Sequence, residues 1–221
     1  MKLIIFDCDG TLLDSQHMIC TAMTHAYQAH ALPPPEREVM LSVVGLSLTE
    51  AFTNLAKDDA SFPVASLAEQ YRLAFHAMRQ SGEHMEPLYP GAADTVGKLA
   101  RRDDVVLGIA TGKSQRGVRL VLTHHDLIDH FSTIKTADDA PSKPHPGMVI
   151  AAMHEAGVEA TDTVVVGDTV YDIAMARAAG ASAVGVAWGY HRKEKLAEAG
   201  ALVVIDNYQA LVPMLDSIWS S

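Results

Sequence analysis

The chain has 221 residues, 48% of them apolar, and a formal net charge of -10; that length can bury one good core plus a small second domain. An acidic chain without a concentrated Lys/Arg patch is a poor partner for nucleic acid or a membrane surface, and no apolar run approaches the roughly 20 residues of a membrane span. Cys8 and Cys20 are too few for a disulfide framework, and Met1-Lys2 leads straight into an apolar run rather than a signal peptide, so a reduced, cytoplasmic setting is expected.

The first predicted element is the uninterrupted apolar run Leu3-Ile4-Ile5-Phe6, the pattern of a buried parallel strand. It is followed by Asp7-Cys8-Asp9-Gly10-Thr11-Leu12-Leu13-Asp14-Ser15. Ligands of open α/β sheets bind outside the carboxyl ends of strands, and residues i and i+2 of an extended chain point the same way. Asp7 and Asp9 can therefore serve one centre, with Gly10 opening the turn and Thr11 adding a hydroxyl. The same residue types also make a plain turn and helix cap. Ile19, Ala22, Met23, Ala26 and Tyr27 then recur at helical spacing behind Asp14 or Ser15 as N-cap. Pro33-Pro34-Pro35 breaks the pattern, and Leu67, Tyr71, Ala74, Phe75 and Met78 give a second helical stretch over 66 to 80. No run between Ser15 and Pro87 reads as a strand, and Glu86-Pro87-Leu88-Tyr89-Pro90-Gly91 marks a return to the core.

Val105 to Ala110 is a second strand pattern, ending in Thr111-Gly112-Lys113-Ser114 at the start of a predicted helix. Further on, prolines of locked φ flank a lysine and a histidine in Ser142-Lys143-Pro144-His145-Pro146. Val164-Val165-Val166 is a third strand pattern, running into Gly167-Asp168, with Asp172 one helical turn beyond Asp168. Eleven histidines show no convincing ligand spacing for a transition metal.

Asp-x-Asp-Gly-Thr, a strand ending in Thr, Lys-Pro-x-Pro and Gly-Asp-x-x-x-Asp, in this order, resemble the haloacid-dehalogenase-like (HAD) hydrolase superfamily over the whole chain. The resemblance implies an α/β core with a Rossmann-like doubly wound parallel sheet, formed by residues 1–14 and 88–221. It places an inserted helical cap at 15–87, with hinges near Asp14-Ser15 and Pro87. A phosphate monoester and an attacking carboxylate repel each other, and a divalent cation between them removes that repulsion; Mg²⁺ prefers hard oxygen ligands. By the resemblance, Asp7 and Asp168 hold Mg²⁺ with the backbone carbonyl of Asp9, and Asp172 contributes indirectly or through water. Asp7 is the expected nucleophile, forming an aspartyl-phosphate, and Asp9 the acid and base. Gly10, Thr111, Gly112 and Lys143 are expected to bind the phosphate with Asp9. Lys113 reads either as a solvated first-turn lysine or as a substrate contact, Thr11 as a structural hydroxyl, and His145 as packing near the site without doing chemistry.

Within the superfamily, dehalogenase-like and phosphonatase-like members lack the second acid, so Asp9 argues against both. Mutase-like members keep it but carry a cap histidine where this chain has Ile19, with His17 two residues off register. The phosphoglycolate phosphatase group is the nearest likeness, through the Asp7–Ser15 segment, Tyr89-Pro90-Gly91, Lys-Pro-His-Pro and the segment from Gly167 to Gly180. A pyrophosphatase or sugar-phosphate phosphatase would share these features. Arg37, Lys57, Arg72 and Arg79 are the cap cations that could receive a second anionic group, each otherwise a solvated helix residue. The expected partner is a small phosphorylated metabolite, and the expected assembly a monomer or homodimer. A catalytically dead binding module on the same fold would be expected to lose Asp7, Asp9, Lys143 or Asp168, all of which are present.

Overall fold

The computed structural model describes residues 1–57, 59–81 and 86–220. The apolar runs form the middle of one parallel sheet. Its strands are β1 (Lys2–Phe6), β2 (Val105–Thr111), β3 (Thr133–Thr136), β4 (Thr163–Gly167), β5 (Ser182–Val186) and β6 (Val203–Ile205), in the order β3-β2-β1-β4-β5-β6. The chain winds outward from β1 in one direction and then in the other, so β1 lies at the switch point where such sheets open a crevice. Phe6 is in register with both Ile109 of β2 and Val166 of β4. This register brings the carboxyl ends of three strands, and the loops leaving them, to one place.

Alternation along β1 divides the core between the two faces. Ile4 and Phe6 face α5 (Ala92–Ala100), α6 (Gln115–His124) and α10 (Leu211–Trp219) through Val96, Leu99, Leu122, Leu211 and Leu215. Leu3 and Ile5 face α7 (Gly147–Ala156), α8 (Val170–Ala178) and α9 (Lys193–Glu198) through Met148, Ala152, Ile173 and Leu196. This is the doubly wound arrangement expected from the sequence.

Among the described residues, four helices lie between β1 and α5: α1 (Gln16–Ala29), α2 (Arg37–Leu41), α3 (Leu48–Ala56) and α4 (Val64–Ser81). All five apolar positions expected of the first helix, Ile19, Ala22, Met23, Ala26 and Tyr27, are buried. They pack on α3 and α4 in clusters separate from those of the sheet, with Tyr27 between the rings of Phe52 (6.2 Å) and Phe62 (5.9 Å). Among the described residues from 15 to 87 no strand occurs. The two crossings between this helical segment and the sheet are tied to each other. Asp14 N–H donates to Pro87 O (2.8 Å), Tyr89 N–H donates to Leu12 O (2.9 Å), and Leu13 bridges Leu88 antiparallel. Among the described residues no helix is long and apolar enough to cross a membrane.

Candidate active site

Asp7 is the first residue beyond β1, its N–H still bonded in sheet fashion to Val166 O at 3.0 Å. Its side chain is buried at the end of the central strand. Lys143 Nζ stands 2.8 Å from Asp7 Oδ1, but the approach lacks the angle of a hydrogen bond, and neither Asp7 oxygen has a hydrogen-bond partner among the described residues. Asp168, just past β4, is held at both oxygens: Thr11 Oγ1 donates to Oδ1 and Tyr190 N–H to Oδ2, each at 2.9 Å. The carboxylate lies between two glycine backbones. A Cβ added to Gly10 or Gly189 would come within 2.2 or 2.1 Å of Asp168 atoms, and Gly10 has φ +88. Gly10 is thus required by a close approach as well as by the turn, and Thr11 has the structural role expected of it.

Asp172 sits in the first turn of α8, where its Oδ2 accepts from Thr169 N–H (3.0 Å) and Oγ1 (2.7 Å) in a capping box. Its Oδ1 accepts from Lys143 Nζ at 2.6 Å. Asp172 therefore anchors the lysine that neutralises part of the site. Oxygens of the three buried carboxylates Asp7, Asp168 and Asp172 lie within 4.8 Å of one another, and the Lys143 ammonium pairs with two of them, Asp7 and Asp172. Burial pushes the Asp7 carboxyl up to about 7; Lys143 pulls it back, and Asp172 adds to the rise. Burial, then Asp172 and Asp7, raise Asp168 well above its usual range. Burial alone would strip the proton from Lys143, but Asp172 and Asp7 hold it charged. An excess of buried negative charge, hard oxygen donors and two unsatisfied Asp7 oxygens fit a divalent cation, and Asp7 and Asp168 are the residues that could hold it.

Asp9 belongs to a second, partly buried cluster. Lys113 Nζ donates to its Oδ1 (2.7 Å) and Oδ2 (2.9 Å) and to Glu86 Oε1 (2.8 Å). Ser15, at the N-cap of α1, makes no cap bond with its side chain. Its hydroxyl instead lies 2.5 Å from Asp9 Oδ1 and 3.1 Å from Glu86 Oε1. Arg79 of α4 binds Glu86 Oε2 through Nε (3.1 Å) and Nη2. Burial would raise the Glu86 carboxyl, but Lys113 and Arg79 bring it down to about 2. Between the two clusters and the helical segment is a cavity of about 570 Å³, walled by Asp7, Asp9, Thr111, Gly112 and Lys113 on the sheet side and by Ile19, Val44, Tyr71, Phe75 and Arg79 opposite. Thr111 Oγ1 accepts from Lys113 N–H (3.3 Å), leaving its own proton to donate. A Cβ on Gly112 would meet Leu46 O at 2.5 Å and Gly45 O at 2.6 Å, so only glycine lets the backbone between α2 and α3 lie so close.

Residues 4–186 match the haloacid dehalogenase-like hydrolase family. The chain belongs to that family. It is 33% identical over 214 residues to a probable phosphatase, IndB, of Dickeya dadantii, covering 95% of this chain and 91% of that one. It is 29% identical over 226 residues to phosphoglycolate phosphatase 1 of Pseudomonas aeruginosa, covering 97% and 80%. A crystal structure of a hydrolase from Pseudomonas syringae superposes with a TM-score of 0.86 at 27% identity over 99% of both chains.

Of the residues expected to form the haloacid dehalogenase-like site, Asp7, Asp168, Asp172 and Lys143 converge in one buried cluster, while Asp9, Gly10, Thr111 and Gly112 surround its mouth. Two expectations are corrected, and one of the two readings of Lys113 is removed. Lys113 is not solvated: its side chain is 8% exposed and locked between two carboxylates. Arg79 is likewise no solvated helix cation, because Glu86 binds it; Arg37, Lys57 and Arg72 are exposed as expected. His145 is exposed rather than packed in the site, its Nδ1 accepting from Gly147 N–H (3.1 Å) at the start of α7. Glu86 was missed altogether.

Proposed function

We propose that this hydrolase is a Mg²⁺-dependent phosphatase acting on a small phosphate monoester, phosphoglycolate or a close analogue, through an aspartyl-phosphate on Asp7. The observation that carries the reading is the Asp7 carboxylate: it ends the central strand at the cavity wall, both oxygens lack hydrogen-bond partners among the described residues, and Asp9 stands two residues on. Mg²⁺ held by Asp7 and Asp168, with the Asp9 carbonyl and Asp172 in support, would neutralise the repulsion between carboxylate and phosphate. An Asp7 oxygen attacks phosphorus while the ester P–O bond breaks, and the departing alkoxide takes its proton from Asp9. Asp9, now a carboxylate, takes a proton from the water that attacks the aspartyl-phosphate; inorganic phosphate leaves and Asp7 is regenerated. Lys143 offsets charge on the transferring group, and the Thr111 hydroxyl and Gly112 amide bind its oxygens.

The glycolate part of the assignment is supported by the names of relatives such as that from Pseudomonas aeruginosa. Hydrolysis is favoured over mutase chemistry because Ile19, at the place where mutase-like members carry a histidine, forms part of the cavity wall. Residues 15–87 are read as a cap domain that bends about Asp14-Ser15 and Pro87, admitting substrate and then excluding water. Crystals grown with and without a phosphate mimic are expected to differ mainly by rotation of that segment; an unchanged segment over an open, solvated site would refute the gating.

Purified protein should hydrolyse p-nitrophenyl phosphate and phosphoglycolate with Mg²⁺ and lose activity in excess EDTA. Full turnover in EDTA would refute the metal site. Activity no higher than that of Asp7→Asn would mark the protein as a binding module.

A further inference from the structure

The geometry points to Lys113 and Glu86 as positioning residues for Asp9, with Ser15 and Arg79 tying that positioning to the helical segment. A lysine ammonium has three N–H donors, and the three Lys113 bonds to Asp9 Oδ1, Asp9 Oδ2 and Glu86 Oε1 use all of them. None remains for a substrate oxygen while these bonds hold, so the ammonium acts on the reaction through Asp9. Rotation of an aspartate carboxylate about χ2 is loosely restrained by its own torsion; an ammonium bonded to both oxygens fixes it. Glu86 fixes the ammonium, and Arg79 fixes Glu86. Two negative and two positive charges balance in the partly buried quartet. The Phe75 ring flanks both cations, 5.3 Å from Lys113 Nζ and 4.7 Å from Arg79 Cζ.

The residues of the quartet come from different parts of the chain. Asp9 and Lys113 follow β1 and β2, whereas Ser15 and Glu86 lie on the two crossings and Arg79 near the end of α4. A shift of the helical segment about the crossings moves Ser15, Glu86 and Arg79 relative to Asp9. The direction in which Asp9 can hand over a proton therefore depends on where that segment sits. This inference rests on the phosphatase reading, in which Asp9 is the acid and base.

The test uses full-length Lys113→Met, Glu86→Gln and Lys113→Arg proteins. The double variant Lys113→Met/Glu86→Gln keeps the buried charges balanced should a single variant fail to fold. Crystal structures of the variants should show the Asp9 carboxylate turned away from its original orientation in Lys113→Met or the double variant, and retained in Lys113→Arg. In kinetics, an alkyl phosphate, whose leaving group needs a proton, should lose at least about tenfold more kcat/KM, which reports phosphorylation of Asp7, than p-nitrophenyl phosphate, whose leaving group does not, within the roughly 10²–10⁴ that acid-base assistance supplies. Lys113→Arg should restore much of the difference. An Asp9 carboxylate unmoved in Lys113→Met and in the double variant overturns the proposal, as do equal losses of kcat/KM for both esters. A wild-type protein inert towards every ester would instead sink the phosphatase reading, leaving the positioning claim to the crystallographic comparison.

Discussion

Asp7→Asn should abolish the covalent phosphoenzyme with every substrate and lower kcat by a factor on the order of 10⁴ or more, as loss of a nucleophile does elsewhere. Asp9→Asn should behave differently. With p-nitrophenyl phosphate the leaving group departs without a proton, so Asp7 is still phosphorylated; hydrolysis of the intermediate needs an activated water and stalls, by roughly 10²–10⁴. Rapid-quench experiments on Asp9→Asn should show a burst of p-nitrophenolate and a phosphoryl mass on the peptide containing Asp7. A missing burst in a protein that still binds Mg²⁺, or a phosphoryl group on another residue, would show the assignment of nucleophile and acid/base to be wrong.

Lys143→Met should produce the largest loss of stability. The ammonium is fully buried against Asp7 and Asp172, and removing one member of a buried ion pair costs about 3–5 kcal/mol because the remaining charge is left uncompensated. For a chain of this size that is a fall in Tm of roughly 6–20 °C. Burial of the Asp7 carboxyl, opposed by Lys143 and reinforced by Asp172, contributes to the pH dependence of the metal-free protein. Asp7 titrates at about 7 when folded, against an ordinary 3.8, so the folded state binds this proton more tightly than the unfolded chain. The Asp7 contribution is fully present below about pH 4 and is lost as pH rises through 7. Thermal melts in EDTA should fall between pH 5 and pH 8, and Mg²⁺ should raise Tm more at pH 8 than at pH 5. A Tm in EDTA that rises across this interval would contradict the raised Asp7. Glu86 acts with opposite sign in a lower window: its contribution is lost as pH falls from 4.5 towards 2.

The acidic cluster was legible because each of its members sits in a short segment whose neighbours announce the backbone. Asp7 follows an apolar run that is a central strand only if buried on both faces, and the register of β1 with β2 and β4 then brings Thr111 and Asp168 to the same edge. The outer strands were harder to see. Thr133-Ile134-Lys135-Thr136 forms an edge strand whose polar residues hide its pattern, and β6 has only three residues. Glu86 was invisible for another reason. It stands in a segment read as a turn before Pro87, and its partners Ser15 and Lys113 are 71 residues before and 27 residues after it. Local spacing carries no trace of such a pairing.

The antiparallel pairing of Leu13 with Leu88, and the bond from Asp14 N–H to Pro87 O, close a ring in the chain. For the sheet, everything between these points is a loop whose ends are already joined, and the entropy of closing a loop grows only logarithmically with its length. The segment can thus lengthen, shorten or be exchanged for another helical unit with little cost to the strands that carry Asp7 and Asp168. The same clasp makes it a natural site for grafting: a foreign insert spliced between Asp14 and Pro87 inherits the geometry of both ends, and has to supply only its own core and a replacement for Glu86 beside Lys113.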